Sequence, residues 1–194
     1  SDATLTAGTD ATIKGANAAT NIEEFGTSAG SDISLNSSKF TAQDVFVFTD
    51  TTIVASAGTP GNVAMTLTGI ENDDSFVLTG TVTGGTSGGA GDGGDAINVA
   101  PKTDSGSDVL NLTVDGNITG GDASGANTSG DGLDAASFET INITADSDTT
   151  FAGGTVGTAG NSVSVGANAT ITIDGEGDVD LGTINAAAGA AADD

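Results

Sequence analysis

Short runs in which β-branched or apolar residues alternate with Thr, Asn and Ser recur along the chain, each bounded by Gly, Asn, Asp or Ser. The clearest are Val45-Phe46-Val47-Phe48, Ala64-Met65-Thr66-Leu67-Thr68, Phe76-Val77-Leu78-Thr79 and Val109-Leu110-Asn111-Leu112-Thr113-Val114. Later come Ile141-Asn142-Ile143-Thr144, Val163-Ser164-Val165 and Ala169-Thr170-Ile171-Thr172-Ile173. A period of two buries one face of a strand and leaves the other to solvent. No window of a dozen residues carries a helical apolar stripe. Even the Ala-rich segment from Ala186 to Ala192 is broken by Gly189 and lacks large apolar side chains. The chain reads as all-β.

Composition then chooses among all-β architectures. Only 36% of the residues are hydrophobic, seven Phe are the only aromatics, and Gly accounts for 31 of 194 positions. Such a chain can be disordered, because high charge and low hydrophobicity oppose a packed core; the alternating runs argue for order. A β-sandwich usually anchors its core on Trp or Tyr, and this chain has neither. A β-solenoid has a thin core that Val, Ile, Leu and Ala can fill. The expected fold is therefore a single β-rich domain over residues 1–194, a solenoid resembling a right-handed parallel β-helix with Gly/Asp-rich turns. The alternative is a β-sandwich. At roughly 20–25 residues per coil the chain would make about eight or nine coils. Its start, Ser1-Asp2-Ala3-Thr4, has neither an initiator Met nor a basic leader, which reads as a processed form or a piece of something longer.

Charge excludes whole classes of function. Lys14, Lys39 and Lys102 are the only cations against 27 carboxylates, for a net charge of −24. Binding nucleic acid through its phosphates needs clustered Lys and Arg, and docking on anionic lipid needs them too. With no His and no Cys, the usual zinc, haem, iron–sulfur and thiol chemistries are absent, as is a Ser–His–Asp triad. Absence of Cys fits the cytosol and equally fits bacterial export. No apolar stretch approaches the ~18–20 residues of a membrane-spanning helix, so membrane insertion is not expected.

The carboxylates are patterned. Asp92-Gly-Gly-Asp95, Asp104-Ser-Gly-Ser-Asp108 and Asp131-Gly-Leu-Asp134 followed by Glu139 set acidic groups three to five residues apart on Gly/Ser-rich turns. Calcium takes six to eight oxygens from carboxylates and backbone carbonyls, and such turns present both. With so few cations in the chain, a divalent ion is the natural counter-charge. Asp92, Asp95, Asp104, Asp108, Asp131, Asp134 and Glu139 are the candidate Ca2+ ligands. The plainer reading is a set of solvated acidic turns that confer solubility. The two Gly-rich stretches, 84–95 and 120–132, are either flexible linkers or ordered coil corners, and Asp at short fixed steps favours corners. Apolar residues precede Glu23, Glu71 and Glu139 beside strands, a loose repeat at irregular spacing.

Other signals are weaker. Asn-x-Ser/Thr occurs at Asn36, Asn111, Asn117, Asn127, Asn142 and Asn168, as a chain rich in Asn and Thr produces by composition alone. A β-helical polysaccharide-cleaving enzyme would use paired carboxylates, but sugar sites usually stack on Trp or Tyr and lyases neutralise uronates with Arg or Lys. An ice-binding face would need Thr66-Leu67-Thr68, Thr81-Val82-Thr83 and Thr170-Ile171-Thr172 stacked at one coil period, and their spacing does not provide it.

Gly89-Ala90-Gly91-Asp92-Gly93-Gly94-Asp95-Ala96-Ile97 resembles one unit of the calcium-binding nonapeptide repeats of RTX proteins, with Gly93 where Asp is usual. Taken with Gly106-Ser107-Asp108-Val109-Leu110-Asn111-Leu112-Thr113 and Ser137-Phe138-Glu139-Thr140-Ile141-Asn142-Ile143-Thr144, residues 84–185 resemble the repeating body of bacterial S-layer and RTX-type proteins exported by type I secretion. That resemblance implies an extracellular, calcium-dependent body that self-assembles at the cell surface, with copies of itself as partner and cell-surface polysaccharide as a further candidate. The expected function is structural and not enzymatic. The alternative is a calcium-dependent adhesin segment.

Overall fold

The computed structural model describes residues 3–7, 11–13, 22–27, 33–39 and 45–186. The described part of the chain is built from strands: β1 Ala3–Ala7, β2 Ala11–Ile13, β3 Ile22–Thr27, β4 Ile33–Asn36, β5 Val45–Val54, β6 Met65–Ile70, β7 Ser75–Thr83 and β8 Ile97–Pro101. They continue as β9 Val109–Thr119, β10 Leu133–Ala135, β11 Thr140–Thr144, β12 Thr149–Ala152, β13 Val163–Val165, β14 Thr170–Asp174, β15 Val179–Asp180 and β16 Ile184–Ala186, with one 3-10 turn at Ser37–Lys39. All seven alternating runs fall on strands, with only Ala64 and Ala169 lying one residue before theirs. The Ala-rich segment falls outside the described residues beyond 186.

Every strand pair among the described residues is parallel, which selects the solenoid over the sandwich. One sheet runs β16-β13-β10-β8-β6-β4-β2. The second stacks β5, β7 and β9, then continues with β11 and β14 over one half of β9 and with β12 and β15 over the other. The coil is longer than the sequence suggested. Val45, Ser75, Asn111, Asn142 and Thr172 occupy one column, four turns at steps of 30 to 36 residues and not 20–25. The extra length is the Gly-containing lobe that each of these turns inserts between the second sheet and the first, with Asp in the lobes at 84–96 and 120–132.

Inward positions align into apolar columns, because parallel in-register pairing stacks equivalent side chains coil on coil. Phe46, Phe76, Leu112, Ile143 and Ile173 make one; Ile33, Met65, Ile97, Leu133, Val163 and Ile184 make another in the facing sheet. Phe46 and Phe76 stack with ring centroids 5.3 Å apart. Both columns are buried until the last described coil, where Ile173 is 48% and Ile184 47% exposed.

The lobes are ordered corners, not linkers. Their two limbs meet at a glycine seam: Gly85 N–H donates to Asn62 O (2.8 Å), Gly94 N–H to Gly85 O (2.9 Å) and Gly121 N–H to Gly94 O (2.8 Å). The seam continues with Gly130 N–H to Gly121 O (2.9 Å), Gly154 N–H to Gly130 O (3.0 Å) and Gly160 N–H to Gly154 O (3.0 Å). A Cβ at Gly84 would lie under 3.0 Å from backbone of the facing limb, and one at Gly94, Gly130 or Gly160 under 3.0 Å from backbone of the preceding coil, so only glycine permits the approach. A second glycine requirement bends the sheet: Gly80 and Gly116 pair across β7 and β9 at φ values of 121° and 152°. In the next coil the bend becomes a turn that separates β11 from β12.

Candidate functional site

The fold divides the candidate carboxylates between two edges of the solenoid. Asp92, Asp95, Asp131 and Asp134 lie on the lobes or just after them; Asp104, Asp108 and Glu139 lie on turns from the first sheet to the second. Within the first group, register places Asp131 one coil beyond Asp95 and Asn161 one coil beyond Asp131. Asp95 Oδ1 accepts the backbone N–H of Asp131 at 2.8 Å, and Asp131 Oδ1 accepts that of Asn161 at 2.6 Å. Asp131 Oδ2 also accepts from the Ser164 hydroxyl. Asp134 accepts from Asn98 Nδ2 at 3.1 Å and from the Ala136 N–H at 3.3 Å. Asp92 Oδ1 accepts the Thr128 N–H at 2.8 Å, one coil on.

The second group is arranged similarly. Glu139 Oε2 accepts the Asp108 N–H at 2.8 Å, while Asp108 takes the Ser105 N–H at 2.7 Å and the Ser105 hydroxyl at 2.9 Å. Asp108 is buried, Glu139 partly so, and Asp104 stands exposed on the same turn. Glu71 and Glu139, two members of the loose repeat, share this edge; Glu71 holds Lys102 at 2.6 Å in an exposed ion pair. Such a pair contributes little to stability.

Six of the seven candidates thus have a shared job. Each spends an oxygen on a backbone N–H, in most cases one belonging to an adjacent coil. A solenoid corner interrupts the ladder of backbone hydrogen bonds, and a buried N–H left without an acceptor is costly. A carboxylate supplies that acceptor through a charge-assisted bond. Sequence reasoning missed three further brackets of this kind. Asp115 Oδ1 accepts the N–H groups of Asp146 (2.8 Å) and Ser147 (2.9 Å), Asp122 Oδ1 that of Thr155 (2.8 Å), and Asp148 Oδ1 that of Asp178 (3.3 Å). The readable signal was the return of Gly-Gly at Gly84-Gly85, Gly120-Gly121 and Gly153-Gly154, which marks the coil period that the Glu-centred repeat obscured.

The brackets carry an electrostatic cost. Burial holds the Asp95 carboxyl above the usual carboxylate range, and the charges of Asp134 and Asp131 push it the same way. Asp134 is raised by burial and then by Asp131. Asp74 is raised chiefly by burial, although the Glu71 N–H donates to it at 2.9 Å. Among the described residues, no group of three or more Asp or Glu side chains is placed to hold a metal ion. The described carboxylates fit backbone bracketing.

The Thr-x-Thr motifs are split between sheets, Thr66 and Thr68 on β6 and the others on β7 and β14, so no single Thr face joins all three. Comparison with models of known protein families, with curated proteins and with solved structures found no match to this chain.

Proposed function

We propose that this chain is a structural, non-enzymatic segment of an extracellular surface assembly of the S-layer or RTX type, in which coils of neighbouring chains stack and calcium offsets the charge between them. The observation that carries this reading is the open end of the two apolar columns. At Ile173 and Ile184 the inward face of the solenoid meets solvent, beside the outer edges of β14 and β16. Among the described residues β14 and β16 end their sheets, and such edges with exposed apolar side chains are templates for another strand.

Calcium enters this reading as a bridge between chains. Asp92 and Asp104 are the exposed candidates; Asp92 keeps one carboxylate oxygen beyond its bracket, and Asp104 keeps both. Calcium completes its shell with carbonyls and water, so a few carboxylates from each of two copies suffice. Monovalent salt screens repulsion beyond ~8–10 Å but cannot link facing carboxylates.

Light scattering and electron microscopy of the purified chain test the proposal. The expected result is monomer in chelator and ordered homo-oligomers in millimolar calcium. Replacing Asp92, Asp95, Asp104 and Asp108 together by Asn should raise the calcium required. Asn retains a carbonyl oxygen for the brackets at Asp92 and Asp95 while removing charge. Dispersed particles at every calcium level would replace assembly with the adhesin reading. Easier calcium-free assembly of the variant would show that repulsion was the only barrier.

A further inference from the structure

Six Asn-x-Ser/Thr sequences look alike in the sequence and differ sharply in the fold. Asn111 is closed: Nδ2 has two hydrogens, and both are used, one on Asn72 O (3.2 Å) and one on Asp74 O (3.0 Å). Asn142 Nδ2 donates to Asn111 Oδ1 at 2.8 Å, extending the same ladder into the next coil. Asn127 Nδ2 donates to Ser124 O at 2.6 Å within its lobe. At Asn36 the hydroxyl of the motif's own Ser38 donates to Oδ1 at 2.7 Å, and the amide leans over Gly69, where a Cβ would collide with it.

Asn117 and Asn168 stand apart. Asn117 is the one exposed residue of β9, on the outward face between Thr81 and Thr150 of adjacent coils. Asn168 is exposed at the turn between β13 and β14, closed by Ala169 N–H to Gly166 O at 3.2 Å. It has a φ of 60°, a left-handed conformation that Asn tolerates better than most residues and that lifts it from the corner. Thr170, which completes its motif, is exposed as well. Neither amide takes part in the brackets or ladders that hold the coils together.

We propose that Asn117 and Asn168 are N-glycan attachment sites, taking a saccharide from a lipid-diphosphate-linked donor, and that the other four motifs are closed by the fold. In the transfer, Nδ2 bonds to the anomeric carbon of the donor sugar. The bond from that carbon to the diphosphate oxygen breaks, the lipid diphosphate leaves with the electron pair, and the amide gives up one proton. An amide already donating to a backbone carbonyl must first lose that bond, and a bulky glycan needs open surface. Both demands are met at Asn117 and Asn168. In the cell the modification rests on the chain being exported, as the surface-assembly reading holds.

The test uses the folded chain in vitro, with an oligosaccharyltransferase that accepts folded substrates and a lipid-diphosphate-linked oligosaccharide. Six synthetic peptides, one per motif, calibrate the enzyme's own preference. After that correction, peptide mapping by mass spectrometry should give occupancy at Asn117 and Asn168 about tenfold above Asn111, Asn127 and Asn142, the factor expected for breaking one hydrogen bond. The double variant Asn117→Gln and Asn168→Gln should leave the folded chain essentially unmodified. Equal corrected occupancy at Asn111 or Asn142 would overturn the proposal. So would unmodified Asn117 and Asn168 in a chain whose peptides are accepted. Because acceptor competence is read on purified protein, it can fail while calcium-dependent assembly holds, and the reverse.

Discussion

Substituting Ala for a single glycine of the seam should destabilise the protein far more than the glycine-rich composition of its lobes would indicate. At Gly94 an added Cβ would sit under 3.0 Å from three backbone atoms, Asn62 O, Asn62 C and Gly61 C. Backbone cannot yield as a flexible side chain does, so the limb must move. Movement opens the bonds Gly94 N–H to Gly85 O (2.9 Å) and Gly121 N–H to Gly94 O (2.8 Å). Two lost hydrogen bonds at ~1 kcal/mol each, with an overpacking cost of ~1–3 kcal/mol, total about 3–5 kcal/mol. For a domain of this size that corresponds to a fall in Tm of roughly 6–20 °C. The internal comparison is Gly88→Ala in the same lobe. There the Cβ meets only Gly58 O, at 3.5 Å, and φ is not positive. Removing a flexible glycine from an accommodating site is neutral or stabilises by up to ~1 kcal/mol. Urea titrations of both variants, followed by circular dichroism, separate the cases. If the two differ by less than about 1 kcal/mol, the limbs are not held together by close backbone contact and the seam is not what organises the lobes.

Two further outcomes follow from the core and the buried acids. Phe76→Ala, which removes the ring between Phe46 and Leu112, should cost about 3–5 kcal/mol. Val156→Ala, at a side chain 46% exposed, should stay within ~0.5 kcal/mol, and equal losses in urea titrations would refute the columnar core. Asp95 and Asp134 are raised above their ordinary value of 3.8 in the fold. Their contribution to stability is therefore fully present below that value and is lost as pH rises through the raised folded values. The double variant Asp95→Asn and Asp134→Asn should exceed the unmodified protein in stability at neutral pH, and the gap should close on acidification toward 3.8. A gap unchanged across that range would mean that the two carboxyls titrate as they do in the unfolded chain.

What the sequence determined by itself was the strand content and the choice of a stacked architecture. Alternation at period two is a local property, readable wherever a run such as Val109 to Val114 is met, and it survives any arrangement of its neighbours. The absence of Trp and Tyr argued for a thin core, and the columns from Phe46 to Ile173 and from Ile33 to Ile184 are such a core. Coil length was not local. It depends on how far each lobe runs before its glycines meet those of the other limb, and that pairing joins residues from Asn62 to Gly160 across successive turns. The role of the acids was hidden for the same reason. Asp95, Asp131 and Glu139 read as calcium ligands or solvated charge when seen along the chain, because their backbone partners lie 30 or more residues away. Only parallel stacking brings those N–H groups to the carboxylates, and only it separates the Asn motifs that the ladders occupy from the two that face solvent.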